Sequence, residues 1–444
     1  MSSILTNNGA MVALQTLKSI NSNLESTQGE ISTGKSVSTA KDNAAVWAIA
    51  KTMEADVKGF AGISDSLSLG QSTVSVARSA AETVTELLTD IKGKVVAAQE
   101  ENVDRAKIQT DIDALRDQIG AVVGAAQFNG LNLLSNTDKT AGSGQINVLA
   151  SLDRSSSGVT ASDIQVAKQD LGTGAGSINV AAASYTAAAS DELSGAANTG
   201  AVALANAATP ATTTATVGQT SNSGTTAVAA GTGFTVTISA GGGTFATGFD
   251  TTTTAGNQEI AYVARDGDTE ADVAKGLVDA FNAYVSGNDI AVATGVSASI
   301  NATNANQIDI SGGDTSEGAG TFSVQFASTA VTDTTIGGRL EALGDVDVTT
   351  QAGADAALEA IEGLLQTAVD SAAAFGSVQG RIETQSDFIS SLTDSLKSGI
   401  GTLVDADMEE ASARLQALQV QQQLGVQALS IANQAPQSLL SLFR

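Results

Sequence analysis

The sequence predicts a mainly α-helical protein, in which the N- and C-terminal segments form a long antiparallel helical stalk that carries a β-rich insert. Two segments, residues 53–98 and 355–403, have apolar residues at alternating three- and four-residue spacings, which predicts helices that pack against partners. Between them the composition changes to Ala, Thr, Gly and Ser, with short alternating stretches typical of strands. Similar helical segments near both ends favour pairing of the ends, with the middle protruding.

The N-terminal segment, residues 1–41, predicts an amphipathic helix with a narrow apolar stripe. The stripe repeats every seven residues, and a second row begins at Leu14 and is interrupted by Asn21 and Gln28. Most helical stability in proteins comes from packing, so this helix needs a partner. The residues assigned to its packing surface are Leu14, Leu17, Leu24 and Ile31.

The long helix over residues 53–98 is predicted to be unbroken because no proline interrupts it. Two shorter helices, separated near residues 59–62 or at Gly70, are the alternative, because glycine weakens a helix. The apolar residues expected to pack are Met53, Phe60, Leu67, Val74, Val84, Leu88 and Ile91.

A shorter helix is expected next, with Ile112, Leu115 and Ile119 on its apolar face. Asn102 or Asp104 is positioned to cap its start. The sequence Phe-Asn-Gly at residues 128–130 predicts the turn that ends it.

The insert, residues 176–344, predicts a β-rich structure with one helix, in one or two lobes. Alternating residues at 234–238, 260–263, 308–310 and 322–326 indicate strands, and Asp268 or Thr269 begins the helix. The glycines at 241–243 lack the Lys-Ser/Thr of a phosphate loop, so they indicate a loop or strand bend. The acidic residues at 266–272 lack EF-hand spacing, so they indicate a helix cap.

The second long helix is predicted over residues 355–403, and its apolar register includes Leu403. It resembles the first in length, as an antiparallel partner requires. The residues expected to pack are Leu365, Phe375, Ile382, Ile389 and Leu396.

The last segment, residues 411–444, has apolar residues on two sides and only Arg414 and Arg444 as charged residues. Such a helix is expected to be surrounded by other protein chains, because its glutamines make it too polar for lipid. Pro436 is predicted to end or kink it. The residues assigned to its packing are Leu415, Leu418, Leu424, Leu429, Ile431, Leu439, Leu440, Leu442 and Phe443.

Composition excludes several classes of function. The chain has no Cys and no His, and its net charge is −26. We therefore expect no catalytic site, metal site or cofactor, and no binding to nucleic acid. No apolar run reaches the roughly 20 residues of a membrane span, and the N-terminus lacks the features of a cleaved signal peptide.

The chain resembles the bacterial flagellins in an ordered set of motifs near both ends, over about residues 1–150 and 345–444. They are SSILTN at 2–7, AMVAL at 10–14, STGK at 32–35, AKDNAA at 40–45, QFNG at 127–130, QGRIE at 379–383 and LGVQALSIANQ at 424–434. The resemblance implies the repeating subunit of a hollow, helical filament used for motility. A hook–filament junction protein and a secreted, stalk-like adhesin are the alternatives.

The resemblance also implies an organisation for the filament. Residues 1–41 and 405–444 are expected to form its inner core, residues 42–175 and 345–404 its wall, and residues 176–344 its outer surface. Expected partners are identical subunits, the flagellar export apparatus, an export chaperone at the C-terminal helix, and the cap and hook-junction proteins. The protein is expected to be secreted to the extracellular flagellum without membrane insertion.

One motif departs from the family pattern. Flagellins recognised by the vertebrate innate receptor resemble Leu-Gln-Arg-Val-Arg-Glu-Leu, whereas residues 88–94 read LTDIKGK. Asp90 reverses a charge, and Lys92 lacks the planar fork of arginine. Strong receptor activation is therefore not expected of this region, which comprises Leu88, Asp90, Ile91, Lys92 and Val95.

Overall fold

The structure, a computed structural model, describes residues 7–155, 158–178, 192–193, 197–198, 202–205, 210–218, 224–243, 260–287, 296–313, 320–329 and 334–441. Its helices are α1 (Asn8–Thr33), α2 (Ala44–Ala98), α3 (Arg105–Ala125), α4 (Glu270–Gly287), α5 (Gln351–Val404) and α6 (Met408–Ser441), with a 3-10 turn at Glu341–Gly344. This order confirms the predicted fold class, with long terminal helices flanking a strand-rich middle.

The strands in chain order are β1 (Gln127–Phe128), β2 (Leu131–Asn132), β3 (Gln145–Ser155), β4 (Gly158–Ala167), β5 (Ser177–Ile178), β6 (Glu192–Leu193), β7 (Ala197–Asn198), β8 (Val202–Ala205), β9 (Thr212–Val217), β10 (Gly233–Gly243), β11 (Ala261–Val263), β12 (Val296–Ile300), β13 (Gln307–Gly312), β14 (Gly320–Thr329) and β15 (Thr334–Thr335).

Helix α2 is one unbroken helix of 55 residues, about 83 Å long at about 1.5 Å per residue. The prediction of a continuous helix is confirmed, and the alternative of a break is wrong. Gly70 is buried, and a Cβ there would lie 2.6 Å from Cγ1 of Val148 on β3. The glycine therefore serves close packing of a strand against the helix.

Helix α5 runs antiparallel to α2 in the part of the two helices that is linked by side-chain hydrogen bonds. As residue numbers rise along α2, those of the bonded partners on α5 fall, which confirms the predicted pairing. The linked residues are Gln71–Glu383, Arg78–Gln379, Lys92–Glu362 and Gln99–Gln351.

Helix α3 begins at the predicted cap, since the Asp104 carboxylate accepts the backbone N–H of Lys107. It ends before the short β1–β2 hairpin, which turns at Asn129 and Gly130 with φ of 52° and 80°. Positive φ at both central residues is the geometry that an Asn-Gly pair favours in a two-residue hairpin.

The insert contains two larger sheets. One has the order β11-β10-β14-β7, with β8 also on β14, and the other has the order β12-β13-β9-β6. Helix α4 contributes its buried apolar face to a core shared with both sheets. The predicted helix start is confirmed, because Thr269 and Asp272 exchange side-chain to backbone hydrogen bonds of 2.9 and 3.4 Å.

The glycine run at 241–243 lies at the end of β10, where the register with β14 shifts between Ala240 and Gly242. Of the two interpretations, the strand bend is therefore the one confirmed. Two other predictions differ from the structure. Val404, at 3% exposure, is buried in place of Leu403, at 39%. Helix α6 continues through Pro436 to Ser441, so the predicted helix end at Pro436 is wrong, whereas a kink there stays a prediction.

Backbone contacts divide the chain into two units. One comprises Met1–Asp65, Ser151–Ala161 and Gln385–Arg444, and the other comprises Ser66–Ala150 and Ser162–Thr384. The first contains α1 and α6, and the second contains α3 and the insert. No helix within the described residues is both long and apolar enough to cross a membrane.

Candidate assembly surface

Helices α1 and α6 pack as an antiparallel pair. The Asn7 side chain caps α1 and also donates to the carbonyl of Ala432 over 2.8 Å, and Gln422 donates to Asn21 over 2.8 Å. A Cβ at Gly425 would lie 3.1 Å from Cδ1 of Leu17, so glycine permits the close approach of the two helices. The pair supplies the partner that the narrow stripe of α1 requires.

The inner seam of this pair uses one of the two predicted stripes of α6. Leu418 is buried at 7% exposure, and Leu415, Gly425 and Leu429 are half-buried on the same side. The apolar stripe of α1 faces inward too, as half-buried Leu17, Leu24 and Ile31 show. These predicted positions are therefore already packed within one chain.

The second row of α1 differs from the prediction. Leu14 is exposed, whereas Ala13 and Ile20 are half-buried and Thr27 is buried. The seam thus follows a spacing of three, then four, from Ala10, and the row that starts at Leu14 faces solvent. A buried threonine gave no apolar signal, which is why the sequence pattern favoured the wrong row.

The other stripe of α6 is exposed, together with apolar residues near the start of α1. Their exposed fractions lie between 56% and 69%. Isolated exposed apolar side chains are ordinary, but a continuous row along a helix indicates an interaction surface. We call this set the terminal apolar surface: the row Val420, Leu424 and Ile431 on α6, with Met11, Val12 and Leu14 near the start of α1.

The remaining predicted residues of this segment lie beyond the described side chains. The backbone of α6 is described through Leu439 and Leu440, but their side chains are not. Leu442 and Phe443 lie outside the described residues.

A short backbone clasp joins the end of α1 to the start of α6. The N–H of Ala406 donates to the carbonyl of Gly34 over 3.0 Å, and the N–H of Ser36 donates to the carbonyl of Val404 over 2.7 Å. Between them Lys35 and Asp405 form an isolated antiparallel bridge. The clasp fixes the register in which the two terminal helices leave the long helices.

The predicted packing residues of α2, α3 and α5 lie in the interior or at its margin. The half-buried ones are Met53, Leu115, Leu365 and Leu396. The buried ones are Phe60, Leu67, Val74, Val84, Leu88, Ile91, Ile112, Ile119, Phe375, Ile382 and Ile389.

Sequence reasoning missed a set of exposed apolar residues on the long helices. They are Ile49, Leu69, Val96, Val369 and Phe388. The last four lie outside the seven-residue registers, which is the signal that could have found them, whereas Ile49 continues the register of α2 toward its N-terminus.

The region compared with the innate-receptor motif is mainly a packing segment. Leu88, Ile91 and Val95 are fully buried. Asp90 is exposed, and Lys92 forms an ion pair with Glu362 on α5. The side chains that remain at the surface therefore differ in charge and shape from two arginines.

A buried polar cluster lies where the chain enters and leaves the insert; we call it the neck cluster, comprising Asp170, Tyr262, Arg265, Asp268 and Gly337. Arg265, at 2% exposure, pairs with Asp170 over 3.1 Å and donates to the Tyr262 hydroxyl and the Gly337 carbonyl over 2.7 and 2.6 Å. The Tyr262 hydroxyl donates to Asp268 over 2.7 Å. Buried charges persist only when paired and hydrogen-bonded, and here they are.

Glu341 borders the neck cluster and accepts the N–H of Gly176 over 2.7 Å. Burial raises the pKa of the Glu341 carboxyl above its ordinary value, and that N–H opposes the shift only in part. Burial likewise raises the pKa of nearby Asp345. Within the described residues, no group of three or more acidic side chains is arranged to hold a metal ion.

Comparison with known proteins gives consistent results. The family model "Bacterial flagellin N-terminal helical region" matches residues 4–139, and "Bacterial flagellin C-terminal helical region" matches residues 358–443. Flagellin A of Rhizobium meliloti is 35% identical over 449 residues, and a flagellin of Brucella melitensis biotype 1 is 30% identical over 445 residues. Both alignments cover 100% of this chain and of the relative.

Solved structures are more distant. FliC from Burkholderia pseudomallei is 14% identical, with a TM-score of 0.29 over 70% of this chain and 99% of that chain. FlgL from Xanthomonas campestris is 13% identical, with a TM-score of 0.32 over 79% and 99%.

Proposed function

The chain belongs to the bacterial flagellin family and is a structural protein, a self-assembling subunit of the extracellular flagellar filament, and on that premise we propose that its copies join through the terminal apolar surface. The observation that carries the proposal is the exposed stripe of α6, centred on Leu424 at 58% exposure. A helix that packs on one side within its own chain and is apolar on the other needs a second chain to cover it.

The charge distribution supports the same conclusion. Between residues 411 and 434, α6 carries only Arg414 as a charged residue. Burying this helix among other subunits therefore removes almost no charge from water, which is the costly part of burial. A contact between two different faces of identical subunits extends into an open helical polymer when its rotation does not close a ring.

Three parts of the filament follow from this arrangement as part of the proposal. Residues 1–41 and 405–444 form the inner core, residues 42–175 and 345–404 form the wall, and residues 176–344 face the medium. Apolar residues on the long helices, such as Ile49 and Phe388, are exposed in one chain and are available for contacts between wall segments.

The route to the filament is also a proposal from family membership. The subunit is secreted through the flagellar export apparatus, and a chaperone covers its C-terminal helix before export. Support comes from the exposed stripe of α6, since an uncovered apolar helix at high concentration associates without order. The cap and hook-junction proteins are the partners at the two ends of the filament. Full-length flagellin relatives favour a filament subunit over a junction protein.

Replacing Leu424 with Asp tests the assembly surface. Because Leu424 is exposed in the single chain, the subunit is expected to fold and melt as the wild type does. Because a charge buried without a partner is costly, the variant is expected to form no filaments when seeded, as counted by electron microscopy.

The control adds the same charge elsewhere. Ala302 lies in an exposed loop of the insert, so Ala302→Asp is expected to polymerise normally. Filaments of normal number and length from Leu424→Asp would refute the proposed surface.

A further inference from the structure

The β12 strand forms an edge of its sheet, and its own sequence does not protect that edge. It pairs with β13 on one side, and no other described strand pairs with it. Its sequence, VSASI, contains no charged residue and no proline, the features that commonly discourage pairing between the edges of two molecules. The other outer strands of the two larger sheets are shorter, with two to four residues against five in β12.

The backbone of Ala298 points toward this open edge. In an antiparallel pair, successive residues turn their N–H and C=O alternately toward and away from the partner strand. Ala298 lies opposite Ile310, and its N–H and C=O bond to a group outside the sheet. It is the central residue of β12, so it is the position at which an added strand would form its middle hydrogen bonds.

The group that occupies this position is the side-chain amide of Asn282 on α4. It donates to the Ala298 carbonyl over 3.0 Å and accepts the Ala298 N–H over 2.9 Å. The side chain is held in place because Phe281 and Val285, on either side of it in α4, are buried in the core of the insert. One amide thus satisfies both backbone groups as a neighbouring strand would.

We propose that Asn282 is an edge guard, which prevents β12 from pairing with β12 of a second copy of this chain. Strand addition depends on free N–H and C=O groups along an edge, and here the central pair is already bonded. The need is greatest in a polymer, where many copies of the insert are held at high local concentration. The inference concerns the insert alone and does not depend on the terminal apolar surface.

The test replaces Asn282 with Ala and, separately, with Leu, and compares each with the wild type. We expect filaments to form but to associate side by side, seen as bundles by electron microscopy. In the Leu424→Asp background, which lacks the proposed assembly surface, we expect soluble subunits to form dimers or larger species that increase with concentration in sedimentation velocity.

Asn132→Leu is the matched control. Asn132 also donates to one backbone carbonyl, that of Val123 over 2.7 Å, and accepts one backbone N–H, that of Leu134 over 2.7 Å, but it does so away from the two larger sheets. It is expected to lose a comparable number of bonds without any gain in association. Asn282→Asp keeps an acceptor for the Ala298 N–H and places a charge at the edge, so it is expected to remain unassociated.

Two results would overturn the proposal. One is a folded Ala or Leu variant, verified by amide-exchange protection of β13, that associates no more than the wild type. The other is unfolding of the insert in both variants, because the amide would then hold the fold rather than guard an edge. Loss of filaments with folded, unassociated inserts would overturn this inference too, and it would also contradict a proposed function in which the insert takes no part in assembly.

Discussion

The buried side chain of Arg265 bonds to residues that are far from it in the sequence. Its guanidinium joins the segment before the insert, at Asp170, to the last part of the insert, at Gly337, although Arg265 itself lies in the middle of the insert. It also lies 5.2 Å from the centre of the Tyr262 ring, in the range of a cation–π contact. The insert is therefore held at its base by charges as well as by strand pairing.

Arg265→Met is expected to lower the free energy of unfolding of the insert by roughly 3–5 kcal/mol, because Asp170 stays buried without its partner. Urea denaturation, monitored through amide exchange in β10 and β14, measures this loss of unfolding free energy. Lys275→Met removes an exposed pair with Asp279 on α4 and is expected to cost less than about 1 kcal/mol. Equal losses of unfolding free energy for the two substitutions would mean that the buried Arg265–Asp170 pair contributes no more than the exposed Lys275–Asp279 pair. Adding Asp170→Asn to Arg265→Met is expected to restore part of the loss.

Glu341 gives a pH dependence with a definite sign. Its folded-state pKa is raised above 4.5, so the native state holds the proton more tightly than the unfolded chain. Its contribution to stability is present at acidic pH, falls as pH rises from about 4.5 through the folded-state pKa, and remains lost above it. Replacing Glu341 with Gln is expected to remove this loss, because the amide oxygen keeps the bond from Gly176.

The stability difference between Glu341→Gln and the wild type is therefore expected to favour the variant more at pH 7 than at pH 4. Unfolding midpoints in urea across this range measure this difference, in which the carboxylates that do not interact with Glu341 cancel. A difference that is independent of pH, or that favours the wild type at pH 7, would contradict the assignment.

At the scale of elements, the junction of α1 and α6 depends on backbone conformation. Gly34 ends α1 in the left-handed region, with φ of 68°, and its carbonyl accepts the N–H of Ala406 in the clasp. No neighbouring atom would touch a Cβ at this position, so a side chain would strain the backbone without a clash. The conformation itself, rather than space, calls for glycine.

Gly34→Ala is expected to destabilise the terminal helix pair by about 1–2 kcal/mol, the cost of a left-handed residue with a side chain. Thermal unfolding of the isolated subunit, followed by far-UV circular dichroism, measures it. Gly29→Ala lies one turn earlier in α1 with free space around it, and it is expected to stabilise the helix by about 0.5–1 kcal/mol. A shift in the same direction for both variants would argue against a left-handed Gly34.

At the scale of the whole molecule, a strand near the start of the insert pairs with one near its end. Ile178 on β5 and Thr334 on β15 are paired residues of one small antiparallel sheet. A two-residue turn can therefore join them without moving either strand. The rest of the chain is not independent of the insert, however, because the charge that neutralises Asp170 comes from Arg265 within the insert.

Deletion of residues 179–333, with an Asn-Gly turn in their place, is expected to leave filament formation intact, because the terminal apolar surface lies outside the deleted segment. The deleted chain is expected to melt at a lower temperature than the same chain with Asp170→Asn, which no longer buries an unpaired charge. Electron microscopy and calorimetry measure the two outcomes. Failure of both chains to polymerise would favour a role of the insert in assembly.

The sequence by itself determined the elements whose signal is local and repeated. The seven-residue registers predicted α2, α5 and the two stripes of α6, because each apolar residue on a helix face adds to the same pattern. Capping side chains and the Asn-Gly turn predicted the starts and ends, because their hydrogen bonds join residues close in sequence.

Only the tertiary structure decided which of the two stripes of α6 is covered within the chain, since both are apolar and the choice depends on what lies opposite. It also decided that Thr27 is buried and Leu14 exposed, and that Arg265, Asp170 and Gly337 meet. These contacts join residues far apart in the chain, and their energies depend on burial and geometry, which no local pattern contains.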